Sequence, residues 1–164
     1  MKPLLTFFLV LFLALPLMAQ HEEDFAAHFV ELNGGEADLE CTTVSPRMME
    51  RILMLPTDTT DSDTLRPLLE QVKSVRIITC TTTPETAALL YEKAEVLAQF
   101  HPLEYQKYAH DSDCTIYTRR RGAFIVELVL IMQTSGTFNL VDLTGNMTEE
   151  MLKIGKPKGN GAAD

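Results

Sequence analysis

The sequence predicts an α+β domain, with helices packed on one face of a mixed sheet and a C-terminal antiparallel meander. Up to about residue 102, helix-like and strand-like periodicities alternate; from 103 onward four strand patterns follow one another with only short turns between them. That order, strand–helix–strand units and then a run of hairpins, is the signature of an α+β layer fold. One of the late segments, FIVELVLIM at 124–132, is apolar almost throughout, as expected of a central strand covered on both faces.

A leader precedes the domain. Lys2 stands before an apolar run from Leu4 to Leu15, followed by Pro16 and Ala19. A charged start, an apolar middle and a small residue at the end make a secretory signal peptide, cut after Ala19. The run is shorter than the roughly 20 residues a spanning helix needs. Residues 1–19 are thus expected to be removed, 20–154 to fold as one domain, and the polar, Gly- and Lys-containing 155–164 to be a disordered tail. The mature chain is expected to be soluble, with no transmembrane segment, in the periplasm or outside the cell.

The elements follow in order. Phe25, Ala26, Phe29 and Leu32 recur at helical spacing over 22–32, and Asn33-Gly34-Gly35 breaks the helix. Residues 37–44 alternate, with Leu39, Cys41 and Thr43 on one side, as a half-buried strand does. Ser45 and Pro46 supply an N-cap and a first helical residue, and Met48, Met49, Ile52 and Leu53 form an apolar face up to Pro56. Polar, aperiodic 57–64 is expected as a loop. A short helical turn at 65–72 leads to a strand at 74–82, carried by Val75, Ile77 and Ile78. Thr83-Pro84-Glu85 opens the clearest helix, with Ala87, Leu90, Tyr91, Ala94, Leu97 and Ala98 on one face and His101-Pro102 at its end. Strands are expected at 105–110, 114–119, 124–132 and 138–143, and a short closing helix at 148–152. Glu127 interrupts the most apolar strand and needs a polar partner or an opening to water.

Charge and cysteine count narrow the function. Fourteen basic against 23 acidic residues give a formal net charge of −9, and losing Lys2 with the leader makes it more negative. So acidic a chain repels phosphate backbones and anionic lipid, which argues against nucleic-acid partners. Cys41, Cys80 and Cys114 are an odd number in an oxidising compartment, so at most one pair forms within the chain. They read as small buried apolar residues, with a Cys41–Cys80 disulfide as the alternative.

Few residues combine into chemistry. Arg119-Arg120-Arg121 stands out in an acidic chain, either as an anion or partner contact at a hairpin tip or as a solvated turn with ion pairs to acidic neighbours. Asp58, Asp61 and Asp63 lack the Gly and distal Glu of a calcium loop. His21, His28, His101 and His110 show no i, i+4 ligand spacing, and His110, Asp111, Asp113 and Cys114 alternate along a strand, so only part of that set can converge. No nucleophile elbow accompanies Cys80 or Cys114. No catalytic residue, metal ligand or cofactor is assigned on these grounds.

The segment TSGTFNLVDLTGNMTEEMLKI after the long apolar strand resembles domain-of-unknown-function family 4252, small exported proteins of Bacteroidetes-type bacteria. The resemblance covers roughly 22–154 and is clearest at 124–132 and at Val141-Asp142-Leu143-Thr144-Gly145, which mark strands and a turn rather than chemistry. Many members start with a lipidated cysteine, and this chain departs there. In such bacteria, Asp58-Thr59-Thr60 and Asp63-Thr64-Leu65 match an O-glycosylation pattern, making Thr59 and Thr64 candidate acceptors. The expected function is a non-catalytic, extracytoplasmic binding or accessory module of an envelope or stress-response system, its partner a protein or small ligand of the cell envelope. The alternatives are a small exported hydrolase with a Cys/His site and a structural subunit assembling by edge-strand addition.

Overall fold

The computed structural model describes residues 24–35, 37–54, 62–101 and 103–154. In chain order these form α1 (Phe25–Asn33), β1 (Glu40–Val44), α2 (Pro46–Met54), α3 (Ser62–Leu69), β2 (Val72–Thr81), α4 (Pro84–Phe100), β3 (Gln106–Asp111), β4 (Cys114–Arg121), β5 (Phe124–Thr134), β6 (Thr137–Met147) and α5 (Glu149–Ile154). The leader, with Ala19, and the tail at 155–164 lie outside the described residues.

Local chemistry starts the two main helices. Asp24 caps α1, its carboxylate accepting the Ala27 N–H at 2.8 Å. Thr83 caps α4 through the Thr86 N–H, with Pro84 at the first position. His101 leaves the helix in an extended conformation.

The strands form one six-stranded sheet in the order β1-β2-β6-β5-β4-β3. After β2 the chain crosses by way of α4 to the far edge, then returns strand by strand until β6 lies beside β2. The α+β class and the C-terminal meander are as expected. The sheet, however, is antiparallel at every pairing rather than mixed, because the returning meander delivers β6 against β2 in the opposite direction.

Helices also cover both faces rather than one. On the first face, Phe25 and Phe29 of α1 and Ala87, Leu90, Ala94 and Ala98 of α4 pack on Ile78, Val129, Ile131, Phe138 and Leu140. On the second, Met49 of α2, Leu68 of α3 and Met151 and Leu152 of α5 pack on Val72, Ile116 and Leu128. The reason lies in β5, whose consecutive apolar residues point alternately up and down and so demand cover on both sides.

Smaller departures have local causes. The segment expected as a loop is helical from Ser62, where α3 begins; Leu68, buried in the second cluster, anchors that helix against the weak preference of its polar start. Cys41 stands opposite Ile78 but is exposed, since β1 is the edge strand and, among the described residues, packing on this face near it involves Ala37 and Leu39. Leu32, expected to be buried, is exposed at the far end of α1.

Two glycines answer to geometry. Gly136 turns β5 into β6 at φ 85°, a conformation L side chains rarely adopt. At Gly145, a Cβ would stand 2.1 Å from the Gln71 carbonyl oxygen, which instead accepts the Asn146 N–H at 3.0 Å. Only glycine leaves room for that crossing.

Candidate functional site

The first face of the sheet carries a polar row among its apolar residues. Arg76 on β2 stands opposite Asp142 on β6, Asp142 opposite Val129 on β5, and Glu127 on β5 opposite Arg119 on β4. Glu127 and Asp142 are fully buried, at 0% and 1% exposure. They are held under the start of α1: Glu127 Oε1 accepts the Phe25 N–H at 2.7 Å and Asp142 Oδ2 the Ala26 N–H at 2.9 Å. A helix N-terminus offers free N–H groups and the positive end of its dipole, so two carboxyl groups are the natural seat for it.

Charge is balanced within the same row. Arg119 donates from Nη2 and Nε to Glu127 Oε2 at 2.7 and 2.8 Å, and Arg76 pairs with Asp24 at 3.0 Å. Burial, and then the neighbouring Glu127, push the Asp142 carboxyl well above the usual carboxylate range. Its Oδ1 is buried without a hydrogen-bond partner among the described residues. Beside them the Tyr105 phenol is kept protonated by burial and by Glu127.

The polar row runs into an aromatic nest. Around His101 lie His28 and Tyr105, each with ring centroids at 5.1 Å, and Phe25 at 6.2 Å. His101 is buried; burial, with His28 second, lowers its pKa, so the ring is neutral near pH 7. Its Nδ1 accepts the Leu103 N–H at 3.2 Å, while its Nε2 has no partner. An unpaired buried donor of this kind costs about 1–3 kcal/mol.

His28 and His101 close one end of a groove of about 490 Å³ between α1 and α4. Its walls are Leu32, Leu89, Val96, Leu97 and Phe100, with Asn33, Glu92 and Lys93 also lining it. Leu32, Leu89, Val96 and Phe100 are 57%, 50%, 48% and 80% exposed, so this is an uncovered apolar surface rather than a packed seam. The size is that of a small-molecule pocket.

A second polar cluster lies at the β3–β4 end of α4. Thr115 donates to Glu95 at 3.0 Å and shares hydrogen bonds with Tyr91 and His110, while Lys107 pairs with Glu95 at 3.0 Å. Thr115 is fully buried, so this relay between a histidine and a carboxylate presents no accessible nucleophile.

The sequence-assigned residues are distributed as follows. Arg119, Arg120 and Arg121 end β4 instead of crowning its turn. Arg119 is consumed by Glu127, and Arg120 pairs with Glu149 at 2.5 Å. The three cysteines are free: Cys80 is buried, Cys114 half-buried and Cys41 exposed. Burial raises the Cys80 and Cys114 thiols, with smaller contributions from Asp38 and Asp111 respectively, which makes both poor nucleophiles. Cys114 pairs in register with Asp111 and packs in the second cluster, whereas His110 pairs with Thr115 on the first face. Thr59 lies outside the described residues, and Thr64 falls within α3. Among the described residues no three His, Cys, Asp or Glu side chains are grouped to hold a metal ion, and no helix is long and apolar enough to cross a membrane.

Sequence reasoning singled out Glu127 as needing a partner but missed Asp142 and the groove. Asp142 sits in an alternating strand where an acidic residue reads as solvent-facing, and only an acidic side chain directly between Val141 and Leu143 hinted otherwise.

A family model described as Domain of unknown function (DUF4252) matches residues 34–154. The chain belongs to that family. Comparison with curated proteins gave no match, and neither did comparison with solved structures. The DUF4252 match contains Glu127, Asp142 and all of α4, while α1 precedes it.

Two measurements check the polar row. Asp142→Asn preserves an acceptor for Ala26 and offers an N–H toward Glu127, so it is expected within about 1 kcal/mol of the parent, whereas Asp142→Leu is expected to lose about 1–3 kcal/mol. Because folding raises the Asp142 pKa above its unfolded value of about 3.9, its contribution is greatest below that pH and declines as pH rises toward the folded value. The stability of Asp142→Asn relative to the parent, from urea titrations, should therefore grow between pH 4 and 7. Arg119→Ala leaves a buried carboxylate unpaired and should cost about 3–5 kcal/mol, against about 0–1 kcal/mol for Arg120→Ala, whose partner is exposed.

Proposed function

We propose that this protein is a non-catalytic, extracytoplasmic binding module, an accessory of an envelope or stress-response system, whose ligand seat is the groove between α1 and α4. The observation that carries the reading is an open apolar channel of about 490 Å³ on a domain whose buried ionisable groups are largely committed to holding helices and strands together. Leu89, Val96 and Phe100 have no structural duty in the core, yet they are large, apolar and aligned with Leu32 across the groove. A surface of this kind is stabilised when something apolar covers it.

Export rests on the leader alone. Lys2, the apolar run and Ala19 support delivery across the inner membrane with release of a chain beginning at Gln20. An N-terminal sequence from native protein is expected to start there; one that still contains Met1 would refute the export part of the reading.

The binding part is tested by filling the groove. An environment-sensitive apolar dye should bind the parent protein saturably at one site. Leu89→Trp and Val96→Trp should each weaken that binding at least about tenfold while the thermal midpoint stays near the parental value, since both positions are half exposed. Dye binding that is non-saturable, or indifferent to both tryptophans, contradicts the assignment of the groove as the ligand seat.

A further inference from the structure

We propose that the groove receives a small, elongated amphipath: its hydrocarbon portion lies along α4, and its carboxylate or carbonyl oxygen accepts a hydrogen bond from His101, with His28 as the side chain that admits it. This rests on the groove being a ligand seat and adds the chemistry of the ligand.

The shape comes from α4. Leu89, Val96 and Phe100 recur along one side of that helix and span, from first to last, roughly 16 Å at the helical rise per residue. Leu32 and Leu97 complete the walls, which are aliphatic except for Phe100 at the histidine end. A row of apolar side chains of about that length is matched by an extended chain better than by a compact ring system.

The head group comes from His101. With Nδ1 accepting from the Leu103 N–H, the neutral ring carries its proton on Nε2, and that N–H has no acceptor among the described residues. His101 is 8% exposed and lines the groove, so a buried donor stands at the histidine end of an apolar surface. Only an acceptor can satisfy it: a carbonyl or carboxylate oxygen does, and an ammonium group does not. Glu92 and Lys93 line the groove with opposite charges and do not favour either sign of head group; the orientation of the ligand is set by His101.

Access falls to His28. Three rings surround His101, and of these Phe25 and Tyr105 are buried in the core. His28 is half-buried and, unlike the other two, lines the groove itself. Of the three it alone stands both against His101 and on the groove, so it is the side chain past which a head group would reach that ring.

Calorimetry with dodecanoic acid, methyl dodecanoate and dodecylamine, each below its aggregation concentration, tests this on the folded protein. The parent is expected to bind the acid or the ester about tenfold tighter than the amine. His101→Phe, which suits the aromatic nest, should erase that preference, while His101→Gln, which keeps a donor, should retain part of it. A parent protein that binds all three probes equally, or prefers the amine, overturns the head-group assignment while the groove stands as a ligand seat. The assignment also falls if His101→Phe keeps the full preference. If no probe binds and Leu89→Trp changes nothing, the groove reading itself is lost, and this inference with it.

Discussion

The seating of the α1 N-terminus on Glu127 and Asp142 is the interaction from which the rest of the architecture follows. Two carboxyl groups from neighbouring strands meet two consecutive backbone N–H groups, Phe25 and Ala26, deep in the core. Those N–H groups have no partner within a helix, and burying them unpaired would be costly. Their capture fixes where α1 starts, and with it the placement of Phe25 and Phe29 on the sheet, the T-shaped contact of His28 with His101, and one wall of the groove.

Such an arrangement is stabilising only because the charge is managed. Two adjacent buried carboxylates would repel one another and lose their hydration. The row answers this asymmetrically: Glu127 has the Arg119 guanidinium, directly opposite on β4, while burial pushes the Asp142 carboxyl well above the usual carboxylate range. Polar groups of this sort contribute directional bonds more than net free energy. In this protein they tie the start of α1 to Glu127 and Asp142 through two directional bonds.

Membership of the DUF4252 family takes on physical content at the same place. The segment Val141-Asp142-Leu143-Thr144-Gly145 looks in the sequence like a strand running into a turn. In the structure Val141 and Leu143 point away from α1, Asp142 holds the helix, Thr144 shares a hydrogen bond with Ser74, and Gly145 makes way for the Gln71 carbonyl. A stretch read as a marker of fold is thus also the support beneath the groove. The same economy explains Arg119, which belongs to an apparent surface cluster of arginines yet serves the interior.

Most elements were legible in local pattern: α4 from its 3.6-residue periodicity and Thr83-Pro84 start, the four late strands from alternation between short turns, and the two-sided burial of β5 from an apolar run interrupted only by Glu127. These are legible because they depend on neighbours a few residues away. Glu127 could even be recognised as a residue in need of a partner. What the tertiary structure decided was which partner: Arg119, Asp142 and the start of α1 reach Glu127 through sheet order and register, which no local periodicity encodes. The groove was hidden for the same reason, since its walls at 28–33 and 89–101 become neighbours only after α1 has been captured and α4 has crossed the sheet. Helical spacing assigned Leu32 to the core, and the crossing of two helices left it outside.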